Sequence, residues 1–495
     1  MIYDVIIIGA GLVGGAVARE LSKYNLSVLA LEKEADVCCG TSKANTGIIH
    51  SAALIPPGTI KSHMAVRGAP EFERLSGELG FSYQKTGALV AGFSPDDETV
   101  MEKYIVSGTD NYRQAGMQPP DYRIVRGDEL KRMEPSLNEM VVSALFAPDT
   151  GRIIPYEYGI ALWENAVENG VRLELNDEVE TIDKSADTGW NLKTQQHEFR
   201  ARFLVNAAGH GSSGLGLTAG FADGQIQLVK GQYLILDRTG GPEINHILFQ
   251  VPQGGHKKKG KGILVTKTVY GNTMIGPDAR WQKDDADTST DMEALDEVVA
   301  GAVLSVPEIS PSACIKTFAG VRPKPAGGDF IIESERGFVH LCGIESPGLT
   351  SSPAIAVEVA ARLESMGLTL SKRDDFQPVR KAVVKQVLAL PPEEVKRRIG
   401  IESGGADRLV CRCEQVPESR IRDAVGRGIP VETIDGVKRR TRAGQGRCQG
   451  GYCGARVRDL LADTLGMPAG DITQRGNEPE LDRVKAREIK ERFKK

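Results

Sequence analysis

Asp4-Val-Ile-Ile-Ile-Gly-Ala-Gly-Leu-Val-Gly14 decides how this chain is read. Val5 to Ile8 is a short unbroken apolar run of the kind that fills a buried parallel strand, and it stops at Gly9. Beyond the glycines, apolar residues return at helical spacing through Ala16, Leu21 and Tyr24. Strand, Gly-x-Gly-x-x-Gly and helix together make the phosphate-binding corner of a dinucleotide fold. Gly9 makes the turn, Gly11 lets a pyrophosphate approach the backbone, and Gly14 lets helix and strand pack closely, with the phosphates resting on the helix N-terminus. The next apolar run, Leu26 to Leu31, ends in Glu32, an acid placed to bind a ribose hydroxyl.

Far from this corner stand four cysteines, Cys411 and Cys413, then Cys448 and Cys453. A thiolate quartet spaced C-x-C and C-x4-C can hold zinc or an iron–sulfur cluster, and spacing alone does not separate them. The surrounding glycines, in Ala443-Gly-Gln-Gly-Arg-Cys448-Gln-Gly-Gly-Tyr-Cys453, favour the cluster, because they let backbone N–H groups approach sulfide. A redox cofactor elsewhere in the chain also needs an electron outlet, which zinc cannot provide. Structural zinc is the alternative. Cys38 and Cys39 read as small loop residues rather than reactive thiols, and Cys314 and Cys342 as core.

At 495 residues the chain is long enough for two or three domains, and a net charge of −4 argues against nucleic acid as a main partner. The apolar run near Met1 is too short to span a bilayer or to act as a signal peptide, so a cytoplasmic protein with reduced thiols is expected. Two basic runs stand out. His256-Lys-Lys-Lys-Gly-Lys261 reads as a solvated hairpin tip, whereas Lys438-Arg-Arg-Thr-Arg442 with Arg447 could offset the negative charge of a cluster.

The turn alone does not say which dinucleotide is bound, since FAD and NAD both use it. Other segments add to it: Gly40-Thr-Ser-Lys-Ala-Asn-Thr-Gly-Ile-Ile-His50, Phe203-Leu-Val-Asn-Ala-Ala-Gly209, Val229-Lys-Gly-Gln-Tyr, Phe318-Ala-Gly-Val-Arg322-Pro, and Gly343-Ile-Glu-Ser-Pro-Gly-Leu-Thr before an apolar helix from Ala354 onward. With these, residues 1 to about 370 resemble the glycine-oxidase and D-amino-acid-oxidase-like FAD superfamily, within it the glycerol-3-phosphate dehydrogenases and L-2-hydroxyglutarate oxidases. The tail, through Asp435-Gly-Val-Lys-Arg-Arg-Thr-Arg-Ala-Gly and Gly446-Arg-Cys-Gln-Gly-Gly-Tyr-Cys453, resembles the [2Fe-2S] domain of bacterioferritin-associated ferredoxins. The pairing of the two is similar to the large subunit of anaerobic-type glycerol-3-phosphate dehydrogenases.

The resemblance implies an α/β protein: an FAD-binding Rossmann-like domain with an inserted mixed-sheet substrate domain, plus a small C-terminal helical [2Fe-2S] domain. Expected boundaries are 1–76, 149–215 and 326–370 for FAD binding, 77–148 and 216–325 for the substrate cap, 371–405 for a linker, 406–468 for the cluster domain and 469–495 for a charged tail. FAD contacts are expected from Gly9, Gly11, Gly14, Glu32, Lys33, Thr41, Ser42, Thr46, Gly47, Ala208, Gly209, Gly343, Gly348, Leu349, Thr350 and Ser351. The N–H groups of Thr350 and Ser351 should face the flavin pyrimidine. His50 is the candidate base and Arg322 the candidate anion clamp, with Lys230 and Lys267 as second choices. Lys267 stands where relatives tend to carry proline. After His50, Ser-Ala-Ala replaces the early glycine of relatives, so the pocket floor is expected to differ.

The implied function is an FAD-dependent dehydrogenase that oxidises sn-glycerol 3-phosphate to dihydroxyacetone phosphate and passes electrons through the cluster to a second flavoprotein or acceptor subunit, or to a quinone-linked carrier. It would be peripheral to a membrane only through that partner. One alternative is a dehydrogenase of the same fold acting on L-2-hydroxyglutarate, another 2-hydroxy acid or a secondary amine. The other is a non-catalytic electron-transfer subunit.

Overall fold

The computed structural model describes residues 1–185, 189–222, 224, 226–239, 241–252, 262–384 and 407–476. It divides into two compact units, Met1–Lys33 with Val37–Lys381, and Glu34–Asp36 with Ala382–Lys495.

In the first unit the opening turn stands where the sequence puts it. Strand β1 (Ile2–Ile8) feeds helix α1 (Leu12–Leu21), and strand β2 (Val28–Leu31) pairs parallel to β1. Around this pair lies a parallel layer in the order 172–174, 28–31, 2–8, 198–206, 338–342. Its strands are apolar on both faces because helices cover the sheet; Val5, Ile6 and Ile7 are wholly buried. Helix α1 packs on helices Pro155–Glu168 and Gly348–Ser365. Trp163 locks the first of these to the glycine turn, its Nε1–H donating to Gly11 O at 3.0 Å.

Three boundaries differ from expectation. Helix α1 stops at Leu21, before Tyr24, where the Ser22 hydroxyl donates back to Arg19 O at 2.8 Å and competes with the helical backbone. The second strand begins at Val28 rather than Leu26. The last long helix begins at Gly348, two residues before the Thr350–Ser351 start that flavin-facing N–H groups imply, and carries Pro353 inside it. Pro353 has no N–H for Leu349 O, but the Ser352 hydroxyl donates to that carbonyl at 2.9 Å and keeps the turn satisfied.

The second sheet of this unit has nine strands, antiparallel except where Ile247–Gln250 runs parallel to Ala88–Gly92. Its longest pairing joins Ile226–Leu236 to Cys314–Pro325. Leu89, Leu234, Leu248, Val265 and Ile275 cover one face and meet Leu295, Val298 and Ala302 of helix Met292–Ser305. On the other face, Ala88, Val90, Ile247 and Phe249 meet Ile48, Ala52 and Ala53. Cys342 is buried, as read, whereas Cys314 is only half-buried because it opens its strand. Residues 371–381, expected to begin a linker, are strapped to this unit: Asn25 N–H donates to Ser371 O at 2.8 Å and Arg380 Nε to Glu164 Oε2 at 2.8 Å. Residues 385–405 of that linker, the His256–Lys261 run and 477–495 of the tail lie outside the described residues.

The second unit is built on strands Leu409–Cys411 and Val416–Pro417 and helices Glu418–Val425, Ile434–Thr441 and Gly454–Leu465. Val410, Val416, Ile421, Val437, Val457 and Leu461 fill its core. Asp36 belongs to it: Arg439 Nη2 and Arg440 Nη1 donate to Asp36 Oδ2 at 2.6 and 2.7 Å. Arg442 Nε donates to Glu414 Oε2 at 2.9 Å. Three of the four cations expected to offset a cluster in the 438–442 run are therefore engaged by buried carboxylates, because a buried charge without a partner is costly.

Candidate active site

The nucleotide cradle is a product of close backbone approach. Gly9 has φ +103°, and a Cβ there would stand 2.5 Å from Ala207 O; a Cβ on Gly14 would stand 2.1 Å from Gly9 O. Only hydrogen fits at either, as the motif demands. Glu32 ends β2 with its carboxylate turned back, accepting from Ala10 N–H at 2.6 Å, which braces the turn. Lys33 beside it is exposed. Ser42 Oγ accepts from Leu12 N–H at 2.9 Å, so the loop bearing it sits at the N-terminus of α1. Thr41 donates to Val321 O at 2.6 Å and Gly47 accepts from Ile153 N–H at 2.8 Å, tying that loop to the sheets on either side. Thr46 lies between them, half-buried. Ala208 N–H donates to Asn206 Oδ1 at 3.2 Å as the chain leaves the fourth strand of the parallel layer, and Gly209 opens the short turn that follows.

A second helix start completes the cradle. Gly343 ends the strand before it, and Gly348 opens helix Gly348–Ser365. Ser351 N–H does not point outward as expected: it donates to Pro347 O at 3.0 Å and closes the first helical turn. The N–H groups of Leu349 and Thr350 have no acceptor among the described residues, so they are the pair available to an anionic ring. Thr350 Oγ1 accepts from His50 N–H at 2.8 Å. Ser351 Oγ is buried with no hydrogen-bond partner among the described residues. Orphan donors at the second helix start and steric room for backbone only at the first are what FAD requires, and these residues fit it.

Alternation along the strands sorts the four catalytic candidates. Val229 lies opposite Arg322 and Lys230 opposite Val321, so Arg322 and Lys230 project from opposite faces of the second sheet. Arg322 shares its face with Tyr233 and Phe318, whose rings stack at 4.6 Å, and with Gly320, where a Cβ would meet Ala44 O at 2.0 Å. The 41–47 loop therefore lies against the Arg322 face. His50 is on that side as well, its ring 6.2 Å from Phe249 and its Nε2 3.3 Å from Ser346 Oγ. Arg322 Nε is buried without a hydrogen-bond partner among the described residues, which leaves a donor for an anion on this face. Burial raises the Tyr233 phenol to about 12, and the Arg322 charge pulls the other way, which places that charge beside the ring.

Lys230 is a correction. It sits on the helix-covered face, where its Nζ donates to Asp287 Oδ2 at 2.8 Å, and the alternation that carries it there follows from Arg322 facing the loop. Lys267 ends its strand opposite Thr273, two residues from Val265, and alternation aligns it with Val265 in the helix-covered core rather than with Thr266. His50 and Arg322 lie on the same side of the second sheet, and the register sets Lys230 on the other.

The floor after His50 is held by residues no motif marked. Ser51 caps the short turn Ala52–Leu54, its Oγ accepting from Ala53 N–H at 3.1 Å. Asp149 Oδ2 accepts from Ala52 N–H at 3.2 Å, Tyr112 OH at 3.2 Å and Tyr122 OH at 2.7 Å. Asn111 Nδ2 donates to Ala52 O and Ile55 O, both at 2.9 Å. Burial and then the Asp149 charge push both phenols far up, so they remain donors. In sequence these four residues are scattered from 111 to 149 with nothing to tie them to His50.

In the second unit the four cysteines meet in two pairs. Cys413 Sγ lies 3.8 Å from Cys448 Sγ, and Cys411 is hydrogen-bonded to Cys453. That bond draws the Cys411 thiol down to about 6 and pushes Cys453 up. No group of three or more His, Cys, Asp or Glu side chains among the described residues converges as a single metal ion requires. Two thiolates on one tetrahedral metal stand about 3.8 Å apart for metal–sulfur bonds of about 2.3 Å. Two separate pairs therefore suit two irons better than one zinc. Backbone N–H groups of Gly444 and Gly450 donate to Cys411 and Cys448, the role expected of the glycines.

A family model described as FAD dependent oxidoreductase matches residues 4–362, and one described as BFD-like [2Fe-2S] binding domain matches residues 409–463. The glycerol 3-phosphate dehydrogenase of Caloramator mitchellensis is 38% identical over 95% of this chain and 96% of its own length. The mitochondrial L-2-hydroxyglutarate dehydrogenase of Arabidopsis thaliana is 29% identical over 72% of this chain and 82% of its own. Among solved structures, a dithionite-reduced, FAD-bound L-α-glycerophosphate oxidase from Mycoplasma pneumoniae superposes with a TM-score of 0.72 at 28% identity, over 78% of this chain and all of that one.

Proposed function

The chain belongs to the FAD-dependent oxidoreductase family and carries a [2Fe-2S] domain behind it, and on that premise we propose that it oxidises sn-glycerol 3-phosphate to dihydroxyacetone phosphate. The observation that carries the reading is the buried, partnerless Nε of Arg322 on the face that also holds His50. A guanidinium in that state binds the phosphate of the substrate in a charge-assisted way. With the anion so held, the secondary hydroxyl is presented to His50, whose imidazole accepts the hydroxyl proton as the C2–H bond breaks. Bound FAD supplies the acceptor for the hydride. Thr350 fixes the His50 backbone, and Asp149, Tyr112, Tyr122 and Asn111 hold the floor beneath, so the reacting geometry is prepared before substrate arrives.

A bound cluster would supply an outlet for the electrons, which an oxygen-using oxidase would not need. The acceptor is a second flavoprotein or acceptor subunit, or a quinone-linked carrier, met at a surface of the protein. Among the described residues no helix is long and apolar enough to cross a membrane. The alternative substrate, L-2-hydroxyglutarate, is favoured by the likeness to the Arabidopsis dehydrogenase, but its two carboxylates call for two cationic contacts, and Arg322 has neither lysine on its face. Anaerobic stopped-flow mixing separates the two. Fast flavin bleaching with glycerol 3-phosphate and little with L-2-hydroxyglutarate is expected, and the reverse order overturns the substrate.

A further inference from the structure

The two cysteine pairs differ in their access to water. Cys411 and Cys453 are 1% and 2% exposed, whereas Cys413 is half-buried and Cys448 exposed. A four-thiolate [2Fe-2S] centre is already negative when oxidised, and one added electron deepens that charge. The added charge costs least where water and cations reach it and most where it is enclosed. Arg412, the residue before Cys413, holds its guanidinium 4.8 Å over the exposed Tyr452 ring. On the enclosed side Glu414 is buried and its carboxylate, which acts on Cys411, is paired with Arg442, so that pair adds no net charge there.

We propose that Cys413 and Cys448 hold one iron and Cys411 and Cys453 the other, and that the electron received on reduction rests on the iron of Cys413 and Cys448, at the water-facing edge from which it departs. The inference rests on the [2Fe-2S] assignment. In the step, one electron from the reduced flavin, or from dithionite in the test, converts one of two ferric ions to ferrous; no bond is made or broken and all four thiolates remain ligands.

Serine in place of each cysteine in turn, C411S, C413S, C448S and C453S, keeps a ligand but swaps thiolate for alkoxide, which favours ferric iron. The full-length holoprotein enriched in 57Fe is reduced with dithionite and read by Mössbauer and EPR spectroscopy, with the midpoint potential measured beside them. C413S and C448S should alter the ferrous component and lower the potential several times further than the other two. C411S and C453S should alter the ferric component. If one variant fails to take up iron, the other member of its pair gives the same answer. The proposal is overturned if C411S and C453S carry the ferrous change, if C413S groups with C411S, or if all four behave alike. Zinc in place of iron in the wild-type protein overturns instead the cofactor assignment beneath it.

Discussion

At the scale of single residues, the proposed chemistry falls to Arg322 and His50. His50 follows a loop whose small residues could be read directly. Arg322 offers a guanidinium fork whose buried Nε has no acceptor among the described residues. Arg322→Ala should weaken glycerol 3-phosphate binding by ~2–5 kcal/mol, the range for truncating one side of a buried charge pair, when flavin reduction is titrated with substrate. An unchanged apparent affinity would move the clamp elsewhere. His50→Asn should slow flavin reduction ~10²–10⁴-fold at neutral pH if the imidazole takes the hydroxyl proton. Retention of the wild-type rate would leave His50 only its contacts with Phe249 and Ser346.

Elements set which residues can meet. Strand Phe338–Cys342 buries His340 completely, with Phe338 and Phe221 rings about it and Asn206 Nδ2 3.1 Å from its Nδ1. Desolvation lowers its pKa from 6.5 to about 4. An unfolded chain therefore binds a proton at His340 that the folded chain refuses, so stability is whole above pH 6.5 and falls as the pH drops toward 4. The full loss is on the order of 3 kcal/mol. Urea unfolding followed by tryptophan fluorescence reads the first unit, which holds all three tryptophans, Trp163, Trp190 and Trp281. His340→Phe should lose less of its urea midpoint than wild type between pH 7 and pH 4.5, and a parallel loss in both would mean that other groups govern the acid limb. The floor beneath His50 makes the same point about elements: Asn111 and Tyr112 come from helix Asp97–Gln114, and Asp149 from the turn before Gly151–Ile153. No local pattern announces such a junction, because each residue looks ordinary in its own element.

For the whole molecule, two units with two cofactors imply two separable half-reactions. Cys453→Ala should abolish the cluster while substrate still bleaches the flavin once, and multiple turnover to an electron acceptor should collapse; undiminished turnover would mean that electrons bypass the second unit. The dinucleotide turn with its flanking strand and helix, the FAD chemistry and the [2Fe-2S] domain behind it were legible in the sequence. Each depends on local spacing: glycines at fixed steps leave room for a backbone, and thiols at fixed steps share a site. Helix limits were less legible where a single hydroxyl intervened, Ser22 at the end of one helix and Ser352 letting another run through Pro353. What only the tertiary structure decided is which side chains share a face or a partner. Lys230 and Arg322 are both cations near matching motifs, yet the register of Ile226–Leu236 on Cys314–Pro325 sends them to opposite faces, since a strand alternates at every residue. Arg439 and Arg440 lie close to the cysteines in sequence but answer to Asp36, some four hundred residues away. A charge desolvated by folding takes the partner that folding brings to it, and sequence distance has no part in that choice.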